Sequence, residues 1–257
     1  RDFIMTTLAT PDPVILIHGA WQGSWAWEGL MPYLRRAGIE AHAIDLPGNG
    51  VDGRAPQEVT LADALAQIGA RITAIGRPVS LVGHSGGGVI ASAAAEAFCE
   101  QVSRIAYVAG MMLPSGMTFG ALQASLKGQP GYGAGITEHL IWSDAGQVST
   151  VPAAAAREIF FHDCAPEAAE AAAGRLTPQG DGLRSIAATL TEGRFATLPR
   201  LYVALRRDRS VTPLAQARMQ ALVPGARTVA LDTGHVPQLA DPAALSAALV
   251  PFLRGES

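Results

Sequence analysis

The stretch Val79-Ser80-Leu81-Val82-Gly83-His84-Ser85-Gly86-Gly87-Gly88, running on into an Ala-rich tract that ends near Phe98, constrains this chain more than any other feature. A short apolar run of strand length, a turn with glycine on both sides of a serine, and an unbroken run of helix formers together predict strand, sharp turn and helix. A Cβ at Gly83 or Gly87 would crowd so tight a turn, which is why both flanking positions are glycine. Ser85 is then presented above the strand end rather than packed. The free N–H groups and positive dipole end of the following helix lie behind it.

The remaining chain fits a sheet built around that unit. Pro13–Ile17, Glu40–Ile44, Ile105–Val108, Leu201–Leu205 and Thr228–Leu231 are further strand-length apolar runs. Between them lie helical patterns over roughly Trp25–Arg36, Thr60–Ile75, Thr212–Leu222 and Pro242–Leu253, with Ser24 a candidate cap for the first. Strands alternating with helices at this spacing imply right-handed crossovers and a doubly wound, mostly parallel sheet covered on both faces. From Gly110 to about Thr197 the rhythm changes. That segment is rich in Gly, Ala, Pro and Gln, carries Phe160-Phe161, and shows mostly helical pieces such as Ala153–Phe161 and Pro166–Leu176. The expected organisation is therefore a core over 1–109 and 198–257, with an inserted helical cap over 110–197.

With 257 residues, 49% of them apolar and 16% charged, the chain has the material for a well-buried core and little tendency to disorder. The net charge of −3 gives no electrostatic reason to expect nucleic acid or an anionic membrane surface as partner. Cys99 and Cys164 form no Cys-x-x-Cys and are read as free thiols in a reducing, cytoplasmic compartment. No apolar run reaches the roughly 18 residues of a membrane span. Arg1–Met5 lacks the form of a signal peptide, and Met5 is read as a natural start.

A serine hydroxyl is a weak nucleophile at neutral pH and needs a base held by an acid. In sheets of this kind the partners follow in the order Ser, Asp or Glu, His, at the carboxyl ends of strands. His235 follows the Thr228–Leu231 run and Asp208 follows Leu201–Leu205, so Ser85, Asp208 and His235 form the candidate triad. Asp232 stands too close to His235 to reach it well, and Asp241 reads as the cap of the last helix. Backbone N–H groups of Gly86 and of Ala20, in the small loop after the first strand, are the expected oxyanion donors. His84 reads as structural; His42 sits in a strand, and His139 and His162 read as solvated cap residues. His18, Trp21, Met111, Phe119, Leu122 and Trp142 are the candidate substrate contacts. No histidine pair has zinc-ligand spacing, so neither a metal nor another cofactor is expected.

His18-Gly19-Ala20-Trp21-x-Gly23-x-Trp25-x-Trp27, Asp45-Leu46-Pro47-Gly48, Gly83-His84-Ser85-Gly86-Gly87, Asp208-Arg209 and Gly234-His235 together resemble the α/β-hydrolase superfamily. The chain is most similar to the branch of plant methyl-ester esterases, hydroxynitrile lyases and bacterial pyrethroid-type carboxylesterases. That resemblance spans nearly the whole chain, is weakest through the cap, and implies the same triad. It also implies a serine carboxylesterase acting on small to medium apolar or aromatic esters through an acyl-enzyme. The lyases of the branch carry a threonine after the loop histidine and a lysine after the catalytic one; here these are Gly19 and Val236. A hydroxynitrile lyase, a carbon–carbon bond or amide hydrolase, and a non-catalytic module that binds small hormone-like ligands remain the alternatives. The expected partner is a small-molecule ester, and a homodimer is compatible with the reading.

Overall fold

The computed structural model describes residues 10–143 and 145–256. The reading of Arg1–Met5 therefore lies outside the described residues. In chain order the strands are β1 (Val14–Ile17), β2 (Ala41–Ile44), β3 (Val79–His84), β4 (Val102–Val108), β5 (Ile141–Trp142), β6 (Val148–Thr150), β7 (Gln179–Gly180), β8 (Arg200–Leu205) and β9 (Arg227–Leu231). The α-helices are α1 (Met31–Arg36), α2 (Leu61–Ile75), α3 (Gly87–Ala97), α4 (Phe119–Leu126), α5 (Ala153–Ala155), α6 (Pro166–Ala173), α7 (Pro213–Leu222), α8 (Pro237–Ala240) and α9 (Pro242–Leu253).

Six strands pair in the order β2-β1-β3-β4-β8-β9, and every pairing is parallel. The order reverses direction at β1 and β3, the place where open α/β sheets leave a crevice beyond their carboxyl ends. Side chains alternate between the two faces as the pleat demands. Ile15, Ile17, Leu81, Ile105 and Tyr107 join a cluster with residues of α2, α3 and α7. Val14, Leu16, Val82, Ala106 and Val108 join Trp27, Leu30, Leu34 and the Leu245, Leu249 and Phe252 side of α9. Both faces are dry, which explains why these strands read as continuous apolar runs rather than alternating ones.

The local signals behave as their chemistry dictates at several ends. Thr60 N–H donates to Asp63 Oδ2 at 2.8 Å at the start of α2, and Gly76 closes that helix at φ +73°. Asp241 Oδ1 accepts the Ala244 N–H at 2.9 Å and starts α9. The expected helix over Trp25–Arg36 is instead two pieces, a 3-10 turn at Ser24–Trp27 and α1. Ser24 is not a cap: its N–H and hydroxyl both bond the Asp45 carboxylate, at 2.8 and 2.9 Å, tying the loop after β1 to the loop after β2.

The segment between β4 and β8 departs from an all-helical cap. It holds α4 to α6 but also a small antiparallel sheet, β5-β6-β7, whose strands are two or three residues long. So short a pattern carries no readable period in sequence. After α5 the chain widens into a π-turn, Ala156–Phe160, and Trp21, Phe160, Phe161 and Val236 share one apolar cluster with the cap alanines. That cluster reaches from the inserted segment down to the residue next to His235.

Candidate active site

Ser85 directly follows β3 with φ +51°, a left-handed backbone that a non-glycine residue adopts only under constraint. The constraint is close packing. A Cβ on Gly83 would lie 2.7 Å from the Gly87 carbonyl oxygen, and one on Gly87 would lie 2.5 Å from that of His18. The turn is fastened by Ser85 N–H to the Val108 carbonyl at 3.3 Å and by Gly88 and Met111 N–H groups to the Ser85 carbonyl, both at 2.9 Å. Ser85 is 8% exposed and borders a cavity of about 380 Å³.

At the same sheet rim, His235 Nδ1 bonds Asp208 Oδ2 at 2.8 Å, with both side chains almost wholly buried. Asp208 Oδ1 accepts the N–H groups of Ser210 and Val211 at 2.7 and 2.9 Å, so the loop after β8 holds the carboxylate as an anion acceptor facing the imidazole. Asp232 does not compete. Its side chain is 74% exposed and turned to Arg207 at 3.4 Å. The His235 ring lies between His84, 4.8 Å away centre to centre, and Phe160, stacked at 5.3 Å. Ser85 Oγ and His235 Nε2 have no hydrogen-bond partner among the described residues. Such contacts are commonly long before substrate arrives.

Ala20 and Gly86 face each other across the first loop: a Cβ on Gly86 would sit 3.7 Å from the Ala20 nitrogen. Both residues border the cavity beside Ser85. Neither N–H donates to an acceptor among the described residues, so two amide donors face the space beside the serine. Trp21, next to Ala20, has φ +62°. Its N–H bonds Gln179 Oε1 at 3.2 Å, its indole Nε1–H bonds Ser149 Oγ at 3.1 Å, and its carbonyl accepts the Thr177 N–H at 2.9 Å. All three partners lie in the inserted segment.

Three further histidines, His18, His84 and His162, are engaged in hydrogen bonds to backbone groups. His18 Nδ1–H donates to the Gly19 carbonyl at 2.8 Å and Nε2 accepts the Leu46 N–H at 3.0 Å, which fixes a neutral tautomer. Burial depresses its pKa accordingly. His84 Nε2–H donates to the His235 carbonyl at 2.8 Å, and burial with the neighbouring His235 charge lowers its pKa well below the ordinary value. His162 is not freely solvated: its Nε2 bonds the Arg207 carbonyl at 3.0 Å. Beside it Asp163 Oδ2 accepts the Gly234 N–H at 2.6 Å, and a Cβ on Gly234 would strike both cap side chains at 2.6 Å. Burial and Asp163 push the Cys164 thiol up to about 12, which leaves it inert.

Of the expected substrate contacts, Trp21, Met111 and Phe119 line the cavity. His18 and Leu122 do not: the first is spent on backbone bonds, and the second is fully buried in the core. Trp142 is 40% exposed on β5 and reaches the cavity only through Arg184, whose guanidinium lies 5.2 Å over its ring. Sequence reasoning missed Arg184, Lys127, Gln123 and Tyr132 on the cavity wall, Phe160 over His235, and the Gln179–Trp21 tie. The paired phenylalanines at 160 and 161 were the one signal that pointed there. A larger surface depression, about 580 Å³ over Gly69, Arg77 and Phe98, holds none of the candidate catalytic groups.

A family model described as the alpha/beta hydrolase family matches residues 14–248. Esterase PIR7B of Oryza sativa subsp. japonica is 28% identical over 230 residues, 82% of this chain and 84% of that protein. Methyl jasmonate esterase 1 of Vitis vinifera is 35% identical over 101 residues, which are 38% of this chain and only 39% of that relative's length. Among solved structures, a pyrethroid hydrolase from Sphingobium faniae JZ-2 superposes with a TM-score of 0.83 at 26% identity, covering 94% of this chain and 97% of its own.

Proposed function

The chain belongs to the alpha/beta hydrolase family, and from that premise we propose that it is a serine carboxylesterase working through an acyl-enzyme. One observation supports the reading most: the buried Asp208–His235 pair lies at the same strand-end side of the sheet as the strained turn carrying Ser85, beside which two amides have no partner among the described residues. Esterase relatives of the same fold support it.

In this mechanism His235 Nε2 takes the Ser85 proton while Oγ attacks the ester carbonyl carbon. Negative charge gathers on the former carbonyl oxygen and is met by the Ala20 and Gly86 N–H groups. Asp208 keeps Nδ1 protonated and stabilises the imidazolium. His235 returns the proton to the departing alcohol; a water then enters, gives a proton to His235 as its oxygen attacks the acyl carbon, and His235 passes that proton to Ser85 Oγ as the acid leaves. No step calls for a metal or cofactor. The substrate is a small ester with an apolar body, matched to Met111, Phe119, Leu183 and Ile136 on the cavity wall.

The lyase alternative is weakened by two positions. A Cβ on Gly19 would lie 3.0 Å from Ser85 Cβ and 3.2 Å from His84 Nδ1, so a threonine where the lyases of the branch carry one would require these neighbours to give by a few tenths of an ångström. Val236 is fully buried among cap side chains and offers no ammonium for departing cyanide. The test is hydrolysis of 4-nitrophenyl acetate and butyrate, with mandelonitrile cleavage measured alongside. Ester turnover that disappears in Ser85→Ala is expected; turnover that survives Ser85→Ala, or cyanide release outpacing it, overturns the reading.

A further inference from the structure

The cavity beside Ser85 has charged walls of one sign. Lys127, just past α4, and Arg184, just past the 3-10 turn at Asp181–Leu183, both line it, and among the described residues no Asp or Glu does. This is not a reflection of the whole molecule, whose net charge is −3. The two cations are at most weakly paired among the described residues. Lys127 makes no ion pair among the described residues. Arg184 meets Asp181 only through one nitrogen at 3.5 Å, and that same carboxylate oxygen already accepts the Ser185 hydroxyl at 2.7 Å.

Arg184 is also held in place. Its guanidinium carbon lies 5.7 Å over the Trp21 ring, a cavity wall, and 5.2 Å over Trp142, and its side chain is 22% exposed. A planar guanidinium packed near two indoles, with most of its five N–H donors lacking an acceptor among the described residues, is suited to a flat two-oxygen anion. Burial lowers the Arg184 pKa, so the charge is held at a desolvation cost that an incoming anion would offset.

We propose that the preferred substrate is an ester bearing a carboxylate at the end remote from the scissile bond, bound by Arg184 and Lys127. Its chemical class is the half-ester of a dicarboxylic acid, or the ester of a hydroxy acid. The inference rests on the esterase reading and deepens it by naming the substrate class. A neutral ester fills the apolar part of the cavity equally well; the carboxylate adds charge-assisted hydrogen bonds that hold the carbonyl near Ser85.

The experiment compares two pairs of esters that differ only in that charge. Mono-4-nitrophenyl glutarate is set against its methyl-capped analogue, and 4-acetoxybenzoate against methyl 4-acetoxybenzoate. At low salt, at least one pair is expected to show a charged-to-neutral kcat/KM ratio of about 10 or more, roughly the worth of one charge-assisted hydrogen bond. The ratio should fall toward one in Arg184→Gln plus Lys127→Gln and be partly retained in Arg184→Lys. Because the readout is a ratio, a general loss of activity leaves it unmoved. Ratios below one in both pairs, or a preference that persists in the double variant, overturn the proposal. Calorimetric binding of the same pairs to Ser85→Ala reads the ratio without turnover. Failure of the esterase reading, seen as no Ser85-dependent hydrolysis of any ester including 4-nitrophenyl acetate, is thus separable from failure of this one.

Discussion

The loops after β3 and after β1 lie on neighbouring strands and face one another across the candidate site, yet they are held in opposite ways. The β3 loop is self-contained: its strained serine is fixed by adjacent glycines, by the start of α3 and by backbone bonds to the β4 end. The β1 loop is fixed from far along the chain. Its strained Trp21 is bonded to Gln179 and Ser149, 158 and 128 positions away. The turn carrying Ser85 is therefore specified by a short local motif, while the loop carrying Ala20 depends on the inserted segment being folded in place. On the proposed mechanism the inserted segment would then shape the catalytic geometry rather than merely cover it.

The largest effect expected is on the side common to both loops. Asp208→Asn should leave the fold intact and lower kcat by roughly 10⁴-fold, because the amide favours the wrong imidazole tautomer. Steady-state kinetics with thermal unfolding as the fold control check this. If Asp208→Asn keeps its activity while Asp232→Asn loses it, the acid is misassigned.

Next comes the contrast itself. Gln179→Ala removes the acceptor of both the Trp21 N–H and the Asn49 side-chain amide, the latter at 3.3 Å. If Ala20 then drifts from its place, the loss should approach that of an oxyanion donor, roughly 10²-fold in kcat with KM little changed. Gln179→Glu keeps an acceptor and should recover part of the rate. An unchanged kcat in Gln179→Ala would show that the β1 loop holds itself, and the contrast would collapse.

The same contrast explains what was legible in the sequence. Ser85, Asp208 and His235 could be nominated because each sits directly after a strand whose apolar run is readable, and because turn chemistry at glycine is local. Helix ends such as Thr60 with Asp63, or Asp241, were readable for the same reason. The cavity wall was not. Leu122 and Phe119 lie on one helix three residues apart, one facing the core and the other the cavity, and only tertiary packing decides which. The sheet β5-β6-β7 is too short for a period, and His18 carries no local sign that its ring would be consumed by Gly19 and Leu46.

His18 and His84 place one neutral imidazole in each loop, and acid should test both at once. Their folded pKa values lie below the ordinary 6.5, so below that pH the unfolded chain takes up protons that the folded one refuses. Stability is then full above about pH 6.5 and is lost as pH falls beneath it. The slope is at most about 1.4 kcal/mol per group per pH unit, approached only well below pH 6.5. Urea unfolding across that range measures it. His18→Gln should flatten the slope by about half; an unaltered slope would mean that the β1 loop does not exclude the proton.

The smallest expected effect probes whether dependence on the inserted segment extends to the base. Asp163 Oδ2 receives the Gly234 N–H at 2.6 Å, one residue before His235, and Arg207 lies 3.6 Å from the same oxygen. Asp163→Asn keeps an acceptor for Gly234 but removes the charge that strengthens the bond. The cost should be about 1 kcal/mol, the difference between a charge-assisted and a neutral hydrogen bond. Because the Asp208 contact to Nδ1 survives, kcat should fall less than tenfold, far less than in Gln179→Ala. A larger kcat loss from Asp163→Asn than from Gln179→Ala would reverse the comparison. It would make the base loop, rather than the oxyanion loop, the part that the inserted segment chiefly holds.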